Sequence, residues 1–165
     1  MTRRGFVFGS ALLASPTAAA EDPQLRLSLT LPRTAFRLGE SIQLAWTLEN
    51  ISTHPLTIVA FHTAAGGPQY DELHISLSRN NTATQQISLV GPRAASQRVW
   101  KSLKPGENLR QEFDLTRAME LSGHKPESGD YHLSAGYSQQ SPTDDDGQPV
   151  WRGTASAELS FRVNP

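Results

Sequence analysis

Five histidines, a paired arginine near the N-terminus, a run of three aspartates and a basic segment around a tryptophan are the residues whose types could do chemistry. The histidines are His54, His62, His74, His124 and His132. His62 follows one β-type run and His74 lies in another. If those strands pair, the two imidazoles approach each other, and a two-histidine copper or zinc site stands open beside the plainer reading of scattered surface histidines. His132 alternates with Tyr131 and is expected to point outward. Asp144-Asp145-Asp146-Gly147 invites a calcium reading, but a calcium loop needs acids at alternate positions and a distal glutamate. Three adjacent acids read instead as a solvated hairpin loop. Arg93, Arg98, Lys101, Lys104 and Arg110 make the segment around Trp100 locally basic. Arginine and tryptophan dominate interface hot spots, so Arg93, Arg98, Trp100 and Lys101 form a candidate interaction patch. The alternative is a solvated loop with Trp100 tucked against the edge of the core.

Other chemistries find no residues. The chain has no cysteine, which excludes disulfides, thiolate metal sites and thiol catalysis. Two methionines are too few for a methionine-rich copper carrier. Nucleophilic hydrolysis needs a hydroxyl beside an oriented base, and after residue 20 no Gly-x-Ser-x-Gly elbow occurs. No side chain is assigned a catalytic, cofactor or metal role, and the expectation is a protein that is not an enzyme.

The elements that must position these residues are short strands. The chain has 165 residues, enough for one domain with a real core, and 37% are hydrophobic. No apolar run approaches the roughly 18 residues of a membrane span. Leu25, Leu27, Leu29 and Leu31 alternate with polar residues, as do Ile42, Leu44, Trp46 and Leu48. Such alternation puts each set on one face of a strand, and it makes Trp46 a core residue. Further strands are expected at Leu56–Phe61, Leu73–Leu77, Ile87–Val90, Leu109–Leu115, Tyr131–Tyr137 and Ala157–Val163. Phe36 to Glu40 reads as a turn, residues 64–69 as a loop, and 93–102 as irregular. Lys104-Pro105-Gly106-Glu107 reads as a tight turn, and Arg117–Leu121 as one helical turn. Seven or eight alternating strands with turns at steady intervals predict an immunoglobulin-like antiparallel β-sandwich over residues 24–163. Gly129-Asp130-Tyr131 at a strand entry resembles the tyrosine corner of such sandwiches.

The N-terminus carries an address. Arg3 and Arg4 precede a short apolar run, then Pro16, then Ala18-Ala19-Ala20. This is the charged, apolar, small-residue order of a cleavable signal peptide, with Ala18 and Ala20 fitting the small-x-small rule before a cut after Ala20. Thr2-Arg3-Arg4-Gly5-Phe6-Val7 resembles a twin-arginine signal, and the general secretory route stays open beside it. The expected location is periplasmic or extracellular, without a membrane anchor. Losing Arg3 and Arg4 takes the 15 basic residues to 13 against 16 acids, a net charge of -3. That balance argues against nucleic-acid binding, which needs a positive surface.

One longer resemblance spans roughly residues 25–137. Its marks are Leu48-Glu49-Asn50, Pro55-Leu56-Thr57-Ile58, Phe61-His62-Thr63, Ile87-Ser88-Leu89-Val90-Gly91-Pro92, Leu103-Lys104-Pro105-Gly106-Glu107, Phe113-Asp114-Leu115, Leu121-Ser122 and Gly129-Asp130-Tyr131. In this order the chain resembles the N-terminal sandwich domain of deuterolysin-type metalloendopeptidases, including the peptidyl-lysine enzymes. It is loosely similar to the intracellular proteinase inhibitor family of bacilli. No His-Glu-x-x-His pair is present, so no zinc ligand is carried over. The resemblance implies an accessory or regulatory module standing alone. The expected function is protein binding by an exported monomer whose partner is an unknown protein, a secreted peptidase being one choice. A protease inhibitor or detached prodomain-like regulator, presenting residues 91–102 or 138–149, is the alternative. A minor metal-binding role through His62 and His74 is the second.

Overall fold

A computed structural model describes residues 24–64, 67–89 and 97–165. The elements in chain order are β1 (Leu25–Thr30), β2 (Ala35–Arg37), β3 (Gln43–Asn50), β4 (Leu56–Ala64), β5 (Gly67–Gln69), β6 (Leu73–Arg79), β7 (Gln85–Ile87), β8 (Gln97–Leu103), β9 (Asn108–Asp114), α1 (Leu115–Leu121), β10 (Gly129–Gln139) and β11 (Gly153–Asn164). They build an all-β sandwich from three sheets, ordered β1-β3-β9, β2-β11-β10-β6-β7 and β5-β4-β8. All the strand pairings are antiparallel except β2 with β11.

Register follows the apolar pattern, because a one-residue slip would turn every inward side chain to the other face. Leu27 lies opposite Leu48, which lies opposite Leu109. Leu77, Leu133 and Leu159 line up across β6, β10 and β11. The inward residues of the sheets, among them Leu27, Leu44, Trp46, Ile58, Ile75, Leu133 and Phe161, meet in one apolar cluster.

Three strands arise where the sequence shows no readable alternation. Phe36 sits in β2 rather than in a turn, buried to 2% exposure and paired with Val163. Bonds from Leu38 N–H to Asn164 O and from Arg162 N–H to Thr34 O hold it there. β5 pairs with the end of β4, where a loop is expected. β8 runs where irregular chain is expected. Elsewhere only bounds shift. The fifth expected strand becomes β7, ending at Ile87, with Val90 outside the described residues. The helix starts at Leu115, two residues before the expected turn, because the Asp114 carboxylate caps it by accepting from Arg117 N–H at 3.1 Å. Leu115, Ala118 and Met119, spaced for one helical face, are its buried residues.

The tight turn at Lys104–Glu107 keeps its predicted chemistry. Gly106 has φ +78°, which glycine tolerates without strain, and Glu107 N–H closes the turn onto Lys104 O at 2.9 Å. Asn80 and Asn81 both have positive φ, the conformation of a type I′ hairpin turn. The tyrosine corner forms as expected: Tyr131 Oη–H donates to Glu127 O at 2.7 Å and accepts from Glu127 N–H at 3.1 Å. Its ring stacks on Phe161 with centroids 5.1 Å apart. Tyr131→Phe keeps the ring and removes both bonds, so urea unfolding is expected to show a loss of about 1–3 kcal/mol. An unchanged midpoint would mean that the corner adds nothing to stability.

Two buried polar side chains tie the sheets together. Asn50 Nδ2 donates to His54 O and Leu103 O, each at 2.8 Å, and its Oδ1 accepts from Ser52 N–H and Oγ–H at 2.9 and 2.7 Å. All the hydrogen-bonding capacity of the amide is thereby used. Gln139 does the equivalent at a β-bulge in β4, where the register with β8 shifts between Val59 and Phe61. Its Oε1 accepts from Val59 N–H at 2.9 Å and its Nε2 donates to Trp151 O at 2.8 Å. Tyr137 Oη lies 2.8 Å from Val59 O, to which it donates, and 3.0 Å from Gln139 Oε1. Burial, reinforced by the Glu72 charge, pushes the Tyr137 phenol far above its ordinary range, so it stays a proton donor.

Candidate functional site

β8 belongs to the sheet ordered β5-β4-β8 and has a hydrogen-bonded strand on one side only, among the described residues. Its position follows from β4: Leu56 faces Leu103 and Thr63 faces Gln97 along the pair. The patch residues of β8 are therefore displayed on a strand edge rather than on an irregular loop. Arg98 and Trp100, two residues apart, share one face, and Lys101 lies on the other.

The Arg98 guanidinium carbon stands 6.0 Å from the centroid of the Trp100 ring, the outer range of a cation–π contact. Arg98 has no ion pair among the described residues. Trp100 is half-buried, and its Nε1–H is shut off from solvent without a hydrogen-bond partner among the described residues. Lys101 differs: its ammonium lies 3.7 Å from Glu107. The Glu107 carboxyl is held below its usual range, first by the Lys104 N–H and then by the nearby lysine charges. Arg110, also counted in the basic segment, pairs with Glu112 at 2.8 Å. Within the expected cluster, Lys101 and Arg110 are thus matched to acids and Lys104 lies near Glu107, while Arg98 beside Trp100 has no ion pair among the described residues. Arg93 lies outside the described residues, as do the export-signal residues Arg3, Arg4, Ala18 and Ala20.

The histidines are not gathered. His62 lies in β4 and His74 in β6, strands of different sheets, so the expected approach through strand pairing does not occur. His74 Nε2 is 3.3 Å from Ser138 Oγ. His132 is exposed, as its alternation with Tyr131 requires. The aspartate loop folds on itself: Asp144 Oδ1 accepts from Asp146 N–H at 3.0 Å and Gln148 N–H at 2.8 Å. This self-capped turn matches the expected hairpin loop.

A second constellation escapes sequence reasoning. His62 is buried to 6% exposure, and its Nε2 lies 3.1 and 3.0 Å from the two carboxylate oxygens of Glu72. Its Nδ1 lies 3.8 Å from Asp71 Oδ2. Asp71 and Glu72 sit in the turn before β6, closed by Leu73 N–H donating to Tyr70 O at 3.1 Å. Ser138 N–H donates to Glu72 O at 2.9 Å and anchors that turn to β10. The available signal is an acid pair nine and ten residues after a histidine, across a glycine-rich reversal.

Fold and edge together define the class of this protein: an all-β sandwich in which a strand with one hydrogen-bonded neighbour among the described residues carries arginine and tryptophan. No family model matches the chain, and comparison with curated proteins finds no match. Among solved structures it is similar to a β-glucosidase from Listeria innocua, at 18% identity and a TM-score of 0.43, over 86% of this chain and 16% of that one. It is similar to the sporulation control protein Spo0M from Bacillus subtilis, at 12% identity and a TM-score of 0.44, over 87% and 51%. It is also similar to the CARDB domain of the PF1109 protein from Pyrococcus furiosus, at 13% identity and a TM-score of 0.41, over 88% and 97%. These likenesses are too distant to bear on function.

Proposed function

We propose that this protein is an exported, monomeric, non-catalytic sandwich that binds another protein through the open edge of β8. The observation that carries this reading is the Arg98–Trp100 pair on a strand that has one side unpaired among the described residues. An exposed edge offers unpaired backbone groups to an incoming strand, and pockets for alternate side chains give the choice of partner. Other edges are less suited: Arg26 on β1 is matched to Glu49, and Arg110 on β9 to Glu112. Export to the periplasm or the medium rests on the order of residues in 1–20, and places the partner there too.

A secreted peptidase is the partner class that the sequence resemblance favours, and that resemblance is the whole support for a regulatory role. Of the two candidate presenting segments, 97–102 lies in β8 and 138–139 in β10, so 140–149 is the described loop that such a regulator would present. The experiment is affinity capture from the exported fraction of the source cells, comparing the native chain with the double variant Arg98→Glu, Trp100→Ala. Capture of a specific protein by the native chain, reduced at least about tenfold in the variant, is the expected result, since hot-spot loss of this kind exceeds about 2 kcal/mol. Equal capture by both chains would remove β8 from the binding face.

A further inference from the structure

At the end of the sandwich where the β6–β7 turn meets the segment between α1 and β10 lies a pocket of about 220 Å³. We infer that it is a binding site for an organic carboxylate with a short apolar body. That chemistry is shared by a small free acid and by a peptide C-terminus ending in an aliphatic residue. None of the lining residues belongs to the β5-β4-β8 sheet, so the inference stands apart from the reading of β8.

The floor is apolar: Leu77, Met119 and Tyr131 line it, and all three are buried. Tyr131 Oη is committed to Glu127 N–H and O, so this residue offers ring surface rather than a hydrogen bond. The rim is cationic. Arg79 and Lys125 stand there against one acid, Glu127, which leaves one positive charge in surplus. Arg79 and Glu127 are paired with each other, and Arg79 also donates to Ser128 O at 3.3 Å. The surplus charge is therefore Lys125, exposed and without an ion pair among the described residues. His124 adds an imidazole, which carries an N–H in its neutral and its charged form alike.

These surfaces choose the ligand. A cation meets Arg79 and Lys125 and finds the acid of the lining already taken. An anion without an apolar part leaves Leu77 and Met119 uncovered. The nearby end of α1 does not oppose an anion, because its carbonyls are engaged. Ala118 O, Met119 O and Glu120 O accept from Ser122, His124 and Gly123 N–H at 3.1, 2.9 and 3.0 Å. Volume sets the size. An apolar cavity of about 150 Å³ takes a benzene ring, so one of about 220 Å³ takes roughly eight to ten heavy atoms. The apolar body lies on Leu77 and Met119, and the carboxylate stays at the mouth beside Lys125. There it keeps water on its free side and avoids the cost of burying a charge.

The test is titration of sodium 4-methylpentanoate into the purified, isotope-labelled chain, followed by amide shifts in heteronuclear NMR. Saturable shifts centred on Leu77, Gly123 and Lys125, with a Kd at or below about 1 mM, are expected. Acetate lacks the apolar body and 4-methylpentanamide lacks the charge, and each is expected to bind at least about fivefold more weakly. Lys125→Glu, at an exposed position, is expected to weaken binding about threefold or more, and Arg98→Ala to leave it unchanged. Circular dichroism verifies the fold of both variants. N-acetyl-leucine separates the two sources: binding as tight as 4-methylpentanoate or tighter assigns the pocket to a peptide C-terminus, and weaker binding to a free acid. Absence of saturable shifts at these amides in tens of millimolar 4-methylpentanoate would overturn the inference. So would acetate or the amide binding as tightly as the acid, or an unchanged affinity in Lys125→Glu.

Discussion

Gln139→Leu lowers the free energy of unfolding by about 2–6 kcal/mol, measured by urea denaturation. The expectation follows from what the amide leaves behind. Val59 N–H loses its acceptor and Trp151 O loses its donor, in a region where Gln139 is 2% exposed. Each buried group left unsatisfied costs about 1–3 kcal/mol. Leucine has nearly the volume of glutamine, so the loss is not a cavity effect. Tyr137→Phe is the companion measurement. It removes one donor to Val59 O and spares the amide, so it falls lower, at about 1–3 kcal/mol. If Gln139→Leu costs under about 1 kcal/mol, the bulge of β4 is not held by this side chain.

Trp46→Ala is the second large effect, at about 3–5 kcal/mol for deleting a buried tryptophan. Trp46 is 1% exposed in the middle of β3, with its ring edge-to-face against Tyr70 at 5.4 Å. Its contribution is packing alone, because Trp46 Nε1 has no hydrogen-bond partner among the described residues. Trp46→Phe is therefore expected to recover most of the loss, since no polar group is stranded. Guanidinium unfolding followed by far-ultraviolet circular dichroism measures both. Equal losses in the two variants would contradict a purely packing role.

Legibility varied with the length of the pattern. Leu25 to Leu31 and Ile42 to Leu48 alternate long enough to declare both strand and inward face, and the structure buries Leu25, Leu27, Leu44, Trp46 and Leu48. Tyr131 was readable because a corner is local, with its hydroxyl meeting Glu127 four residues away. Phe36 was not, because three residues of β2 gain their meaning from β11, more than a hundred residues later. Trp100 and Arg98 stand out in the sequence by residue type as a candidate patch. Their display on an edge does not, since Val99 and Trp100 follow one another without a polar break and the pattern looks irregular.

The sequence alone determined the class of fold, the turn at Gly106 and the core position of Trp46. Those depend on backbone preference and two-residue periodicity, which are written into neighbouring residues. Tertiary structure alone decided that Lys101 is matched to Glu107 while Arg98 has no ion pair among the described residues, and that Gln139 is interior. It also separated His62 from His74 and gave it Glu72 and Asp71 instead. Charges and hydrogen bonds act over a few ångströms in space, and which groups come that close is set by how the sheets stack, a long-range outcome that no local pattern encodes.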